Sequence, residues 1–286
     1  MALVGPSVRR ALVAVCAIVI FILLAGATYQ GVATTFERRE FARPGGLVSV
    51  GDHQLHIYCT GKGSPTVVLE APAAGLSAAW GDVQRRLSGT TRVCSYDRAG
   101  LGWSERGDLP FDPVRVPGEL HTLLTSANEH GPFVVAGQGL GAAYARLYAS
   151  RGDSGAAALV MIDPPAHSPE AAPPGWIVPA SPWLARTGVL RATRMMSSKA
   201  DGLANGGAVK AFLNRPDHLS RAADEVRDWN AIVQHAAQVQ PAAAMPVVTV
   251  DLGSSDRIAF LTSPAAVDRV VGAIEGAILK VRATSP

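Results

Sequence analysis

Three glycines at alternate positions, Gly137, Gly139 and Gly141, directly follow the apolar run at 133–136 and precede a helical pattern. A strand, a sharp turn and a helix in this order are typical of a nucleophile elbow, whose pattern is G-x-S-x-G. Acyl-transfer chemistry at such a turn needs a nucleophile, a histidine, an acid that orients the histidine and two backbone N–H groups for the oxyanion. The serine position is Gly139, which has no side chain and cannot form a covalent intermediate.

The elements around this turn alternate between strands and helices. Buried-strand patterns occur at PTVVLEA, TRVCSYD, FVVAG, AALVMID and PVVTVD, and LVSVGDHQLHIYCTG predicts a hairpin. Helical patterns separate most of the strands and form the C-terminal element. This alternation predicts a mostly parallel sheet that is covered on both faces. Residues 164–245 break the alternation, since they hold Trp176, Trp183 and amphipathic helical patterns but no strand pattern.

The N-terminal region is apolar enough to cross a membrane. No Asp, Glu, Lys or Arg occurs among the 26 residues at 11–36, and a span needs about 20 apolar residues. The length favours an uncleaved anchor, whereas Ala25-Gly26-Ala27 fits the cleavage site of a signal peptide. Arg9 and Arg10 favour a cytoplasmic N-terminus, although arginines also follow the span.

Three stretches together resemble the α/β-hydrolase superfamily, and in particular its small serine esterases and lipase-like members. They are VVLEAPAAG at 67–75, SYDRAGLGWSE at 95–105 and GQGLG at 137–141. The resemblance runs from about residue 47 to the end, and an Ala-rich composition with an N-terminal anchor is similar to a membrane-anchored bacterial branch. It implies an α/β-hydrolase fold with an N-terminal hairpin and a helical cap over the active-site cleft.

These observations divide the chain into five parts. They are a cytoplasmic N-terminus at 1–10, a transmembrane anchor or signal peptide at 11–30, a linker at 31–46, a hydrolase core at 47–163 and 246–286, and a helical cap at 164–245.

The resemblance also assigns site positions. Ala73 and Leu140 match the residues whose backbone N–H groups form the oxyanion hole, although Pro72 stands where the family often has glycine. Asp251 follows a strand where the acid is expected, and Asp163 is a second candidate. Both are expected to be structural because no histidine remains for them to orient.

The family's histidine position is the second one that departs from the pattern. No histidine follows His235, and Asp256 or Arg257 stands in its place. The segment from Asp251 to Pro264 is short for the helix and strand that normally precede that histidine, so we expect the sheet to end one strand early. His167 is more typical of a loop residue than of a catalytic base.

Two serines remain as alternative nucleophiles. Ser104 and Ser77 are nearest to the site by family topology, but each is also typical of a loop or cap hydroxyl. Asp97, Arg98 and Ser104 are expected to tie their loop to the scaffold rather than to act on substrate.

The cysteines leave two interpretations open. Cys59 and Cys94 lie in two predicted strands, so a disulfide is feasible if the strands are neighbours, and it would suit an exported domain. Two buried free thiols explain the pattern equally well.

Composition excludes several classes of function. The net charge of +3 is small and the basic residues are scattered, which argues against a nucleic-acid partner. Neither a metal-ligand cluster nor a P-loop or dinucleotide fingerprint occurs, so we expect no metal and no cofactor.

The sequence therefore predicts a membrane-anchored, catalytically degenerate hydrolase fold in the cell membrane, with an extracytoplasmic soluble domain. Its role would be binding, regulation or scaffolding, through a lipid or acyl ligand in the cleft or a protein partner at the cap. The alternative is an active carboxylic-ester hydrolase with a non-standard nucleophile, and a purely structural role in an envelope assembly is a third hypothesis.

Overall fold

The computed structural model describes residues 5–107, 110–165, 177–253 and 261–284. Within these ranges the chain forms a seven-stranded sheet with helices on both faces, a helical cap and a long N-terminal helix.

The sheet has the strand order β1-β2-β4-β3-β5-β6-β7. The first two strands form the predicted antiparallel hairpin, β2 pairs antiparallel with β4, and all further neighbours are parallel. The strands are β1 (Gly46–Ser49), β2 (Gln54–Thr60), β3 (Thr66–Glu70), β4 (Val93–Tyr96), β5 (Phe133–Gln138), β6 (Ala156–Ile162) and β7 (Val247–Val250). Among the described residues no strand follows β7, and 254–260 lie outside them, so the early end of the sheet stays a prediction.

Alternate residues of the central strands build two separate cores. Val67 and Leu69 of β3 pack towards α2 (Gly81–Leu87) and α10 (Pro264–Thr284), whereas Val68 packs on the other face. That second face is covered by α3 (Val116–Ser126) and α4 (Leu140–Ala149). Burial of both faces explains why these strands read as continuous apolar runs.

The described part of the cap is helical, as predicted. Its helices are α5 (Ile177–Arg186), α6 (Val189–Thr193), α7 (Gly206–Leu213), α8 (Pro216–Arg227) and α9 (Trp229–Gln238). The last helix, α9, packs on α4, the helix that follows the elbow. The cap therefore sits over the end of the sheet at which the elbow lies.

The N-terminal helix α1 (Pro6–Glu40) is longer than the sequence analysis allowed. The linker predicted at 31–46 is wrong over 31–40, which is helical, so the connection to β1 is only 41–45. Polar composition suggested a linker, but the stretch at 32–40 contains neither glycine nor proline and is free to continue the helix. The apolar part of α1 is exposed, and its hydropathy makes it a candidate membrane span.

Candidate functional site

Gly139 forms the turn between β5 and α4 with φ 55° and ψ −124°, a region that only glycine enters without strain. Its N–H donates to the Ile162 carbonyl oxygen at 2.9 Å, so the turn is held by the neighbouring strand. A Cβ placed on Gly139 would have the Pro72 side chain as its nearest neighbour, at 3.9 Å. The nucleophile position therefore has the geometry of an elbow and room for a side chain, but no reactive group.

The two flanking glycines are required for a different reason. A Cβ on Gly137 would lie 2.3 Å from the Gly141 carbonyl oxygen, and a Cβ on Gly141 would lie 2.4 Å from that of Ala71. The backbone of helix α4 therefore packs directly against the backbone of β5, the strand before it, and against the end of β3. The frame of the elbow is intact although its nucleophile is missing.

The loop after β3 places Ala73 beside the elbow. The guanidinium of Arg98 donates from Nη1 to the Ala71 carbonyl oxygen at 2.6 Å and from Nη2 to that of Pro72 at 2.9 Å. Ala74 has φ 56°, and its carbonyl oxygen accepts a hydrogen bond from His218 Nε2 at 3.0 Å. Core and cap together therefore fix the backbone of this oxyanion loop, residues 71–75.

Arg98 is also the centre of a buried ion-pair network. It binds Glu70 of β3 through Nη1 at 2.5 Å and Glu225 of the cap helix α8 through Nε at 2.7 Å, and all three side chains are buried. Burial alone would lower the pKa of Arg98, but Glu225 and Glu70 outweigh it and hold that pKa well above its usual value. Burial raises the pKa of Glu70, although Arg98 and the Tyr96 hydroxyl oppose the shift.

Apolar cap residues cover both oxyanion positions. Ala73 and Leu140 belong to one buried cluster with Trp229, Ile232 and Val233 of α9. In the same region Gln138 Oε1 and the Tyr144 hydroxyl are buried without a hydrogen-bond partner among the described residues.

Asp256 and Arg257, at the family's histidine position, lie outside the described residues, and so does the loop residue His167. Within the described ranges, His218 is a histidine that contacts the oxyanion loop. Its Nε2 donates to Ala74, and its Nδ1 accepts the Gly102 N–H at 3.1 Å, so both ring nitrogens are occupied by backbone. Burial lowers its pKa, which matches a neutral ring. His218 is therefore a structural bridge from the cap to two core loops.

The two acid candidates lie together at the ends of β6 and β7. Asp163 Oδ1 accepts the Leu252 N–H at 2.6 Å, and the Asp163 N–H donates to the Val250 carbonyl oxygen. Burial is the main cause that raises the pKa of Asp163, and the neighbouring Asp251 carboxylate adds to it. The two carboxyl groups interact with each other, but neither orients a described histidine.

The alternative nucleophile Ser77 lies beside His56 and Asp97. These are the residue types of a catalytic triad, but their geometry is different. The Ser77 hydroxyl is 3.3 Å from His56 Nδ1, and Asp97 Oδ2 is 2.8 Å from the same nitrogen. The other nitrogen, Nε2, faces the Pro44 carbonyl oxygen. A relay needs acid and nucleophile on opposite ring nitrogens, so this cluster does not form one.

Ser104 and Asp97 have structural contacts, as the sequence predicted. Ser104 Oγ donates to the Asp97 carbonyl oxygen at 2.5 Å and accepts the His56 N–H at 2.8 Å. Burial would raise the pKa of Asp97, but hydrogen bonds from His56 and from the N–H groups of Ser77 and Trp103 outweigh it and lower that pKa.

Cys59 and Cys94 face each other on β2 and β4, and a disulfide joins them at a Cα–Cα distance of 4.0 Å. Of the two interpretations left open by the sequence, the structure has the disulfide. Glu129 lies near both sulfur atoms, but their bond leaves no thiolates for a metal ion there.

A cavity of about 730 Å³ lies away from the elbow, between the end of α1, strands β2 and β4, α2 and α7. Phe41, Trp103 and Ala208 are among its apolar lining residues, and Ser77 and Gln84 are among its polar ones. Gln84 Nε2 donates to the Tyr58 carbonyl oxygen at 2.8 Å and Gln84 Oε1 accepts from Ser95, so the floor around Gln84 is polar. Glu40 and Arg85 add charged groups to the lining. The ligand cleft was expected under the cap at the elbow, and this cavity is a different place.

Comparison with known proteins agrees with this geometry. The sequence profile described as "Alpha/beta hydrolase family" matches residues 64–283. The chain belongs to the alpha/beta hydrolase family. Family membership accounts for the core from β3 onwards and for the elbow, whereas α1 and both hairpin strands, β1 and β2, precede the matched region.

Two curated relatives of this hydrolase come from yeasts. An uncharacterized protein of Schizosaccharomyces pombe is 37% identical over 82 residues, which are 29% of this chain and 15% of that protein. An uncharacterized vacuolar membrane protein of Saccharomyces cerevisiae is 29% identical over 117 residues, which are 35% of this chain and 18% of that protein. The chain thus matches under a fifth of their length, and the bacterial branch named above stays a prediction.

Similarity to a solved structure supports the fold of this chain and nothing further. The Cif epoxide hydrolase from Acinetobacter nosocomialis superposes with a TM-score of 0.64 over 88% of this chain and 96% of that chain, at 11% identity.

Several residues that position the backbone of the site were not predicted from the sequence. Glu70 could have been found, because a carboxylate at the end of the buried run VVLE needs a partner. Glu225 and His218 gave no such signal, since their partners lie far away in the sequence.

Proposed function

We propose that this hydrolase is catalytically degenerate and serves as a membrane-anchored binding protein. The observation that supports the loss of catalysis is Gly139, which keeps the elbow conformation without any nucleophilic atom. The oxyanion loop is retained, but its neighbours are apolar cap residues rather than a base.

The test is reactivity of the purified full-length chain towards fluorophosphonates and short-chain esters. We expect neither labelling nor turnover above background, and the same result for a Ser77→Ala/Ser104→Ala variant. Labelling of the wild type that disappears in this double variant would instead establish an active carboxylic-ester hydrolase with a nucleophile outside the elbow.

The binding role is assigned to the cavity of about 730 Å³, which lies in the size range of small-molecule sites. A polar floor with apolar walls, with Glu40 and Arg85 also in the lining, suits an amphiphile that carries an acyl chain. One wall belongs to residues 40–44 at the end of α1, so a ligand could enter from a membrane surface.

A fluorescent monoacylglycerol tests this role in detergent-solubilised protein. Ala208→Phe fills the cavity from α7 and should weaken binding at least several-fold, whereas Ala243→Phe on an exposed loop should not. Binding that survives Ala208→Phe but is lost in Gly139→Leu would place the ligand at the elbow. No binding to any variant would contradict the role and leave the scaffolding and protein-partner hypotheses.

The membrane anchor is assigned to α1, with the soluble domain outside the cytoplasm. The exposed apolar helix supports the anchor, and the disulfide supports an oxidising compartment. Protease protection of the domain in sealed cells or spheroplasts tests the topology, since an extracytoplasmic domain is digested from outside and a cytoplasmic one is not.

A further inference from the structure

The cap carries an exposed strip beside α1, formed by Trp183, Arg186 and Val189 and called the cap strip below. Trp183 is 70% exposed and Val189 is 42% exposed. The Arg186 guanidinium stacks over the Trp183 ring at 4.8 Å from its centroid. The strip therefore combines an aromatic ring, an apolar residue and a cation.

The cap strip flanks a direct contact between the cap and α1. The turn Thr187–Gly188, between α5 and α6, packs against Gly26 so closely that a Cβ on Gly26 would lie 2.1 Å from the Thr187 carbonyl oxygen. Trp183 is one helical turn before this contact, and Val189 is the next residue after it. The strip is thus held at the level of Gly26 along α1.

Gly26 lies inside the apolar layer in every placement of α1 that keeps charges out of it. The charge-free stretch 11–36 has 26 residues, whereas the hydrocarbon core of a bilayer takes about 20. Any 20-residue window within that stretch contains residues 17–30. Gly26 is therefore about 6 Å or more below the outer edge of the layer, at about 1.5 Å per residue.

Polar contacts further along α1 mark that outer edge. Gln30 is buried against the cap, where it donates to the Asn214 carbonyl oxygen at 2.6 Å and accepts from Arg191 Nε at 2.9 Å. About two helical turns further along α1, Glu37 pairs with Arg191. These groups fit the headgroup region, which leaves the Thr187–Gly188 turn on the lipid side of them.

We infer that the cap strip inserts into the outer interface of the lipid bilayer, so that the protein contacts the membrane through the cap as well as through α1. Trp favours the headgroup level, and an Arg stem can cross apolar surface while its charge reaches a phosphate. An interfacial element buries its apolar face by about 5–10 Å, which agrees with the depth of Gly26. This inference rests on the proposed anchoring by α1.

The test uses the full chain in phosphatidylcholine vesicles that contain a minority of phosphatidylglycerol. On a Cys16→Ala background, an environment-sensitive fluorophore is attached to Val189→Cys, to Leu24→Cys in α1 or to Leu279→Cys. Leu279 is the matched control, because it is 64% exposed on the core helix α10. Quenching by lipids with a spin label high on the acyl chain reports contact with the interface.

We expect several-fold stronger quenching at position 189 than at position 279. Equal quenching at 189 and 279 with strong quenching at 24 would overturn the inference and leave the anchor in place, with the strip free for a protein partner. Water exposure at position 24 would overturn both the anchor and the inference.

Discussion

Gly139 keeps the backbone conformation of a nucleophile elbow without a side chain. Its φ of 55° and ψ of −124° are held by strand β6 through the Ile162 carbonyl oxygen, not by its own side chain. A non-glycine residue in this region costs about 1–3 kcal/mol. The steric demands at Gly137 and Gly141 are of another kind, since backbone atoms occupy the space of their Cβ atoms.

This difference predicts opposite outcomes for two substitutions in the same turn. Gly139→Ser should fold and lose about 1–2 kcal/mol of unfolding free energy, from backbone conformation alone. Gly141→Ala should lose more or fail to fold, because its Cβ would lie 2.4 Å from the Ala71 carbonyl oxygen. Urea unfolding of the detergent-solubilised chain measures both. A Gly139→Ser variant that unfolds more easily than Gly141→Ala would contradict the geometry.

At the residue scale, the family motifs predicted the positions around the elbow. Contacts between residues far apart in the sequence and outside these motifs were not predicted. Gly139, Ala73 and Leu140 lie around one elbow as the family pattern implied, and Asp163 and Asp251 lie side by side. The ion pair that fixes the oxyanion loop joins residues 127 positions apart, and no local pattern records such a contact.

At the scale of elements, two joints between the cap helix α8 and the core are polar and buried. Arg98 links β3 to α8 through two carboxylates, and His218 links α8 to two core loops. Strand and helix types were predictable because their apolar periods are local, whereas α1 was predicted too short because composition does not show where a helix ends.

Breaking the ion-pair network should be costly. Arg98→Met leaves Glu70 and Glu225 buried without their partner, and we expect a loss of about 3–5 kcal/mol of unfolding free energy. Arg106→Met on the same loop is the control, since Arg106 is exposed and such residues contribute little. Thermal and urea unfolding of the two variants decide the matter, and equal losses would show that the network is dispensable.

The His218 bridge should make the cap joint sensitive to acid. Its folded pKa lies below the ordinary value of 6.5 because the ring is buried, so the unfolded chain binds the proton first. Its contribution is complete above pH 6.5 and is lost as the pH falls from there through the folded pKa. Unfolding free energy measured against pH should therefore decline more steeply in the wild type than in His218→Asn.

His130→Gln provides the control for this pH dependence. His130 is exposed, and its replacement should leave the slope unchanged. A His218→Asn variant with the wild-type slope would show that another group causes the acid sensitivity.

The disulfide should stabilise the antiparallel part of the sheet. It closes a loop of 35 residues between β2 and β4, and its removal in Cys59→Ala/Cys94→Ala should cost about 2–4 kcal/mol. Cys16→Ala in α1 should cost nothing measurable, because Cys16 is an exposed free thiol. Denaturant titrations under oxidising conditions compare the three proteins, and an unchanged midpoint for the double variant would refute the expectation.

At the scale of the whole molecule, α1 and the cap form one joint. Gly26→Val should separate the Thr187–Gly188 turn from α1, whereas Gly31→Val should not, since no atom lies within 4 Å of the space that its Cβ would fill. Hydrogen exchange of residues 187–191 should become faster only in Gly26→Val. Equal exchange in both variants would show that the joint does not depend on this close approach.

The length of α1 gives this joint a mechanical consequence. A charge-free stretch of about 39 Å exceeds a hydrocarbon layer of about 30 Å, and a helix that is too long for its bilayer tilts. Because Gly26, Gln30 and Glu37 all hold the cap, a change of tilt would turn the cap with the helix. The thickness of the surrounding bilayer would then set the orientation of the domain above it.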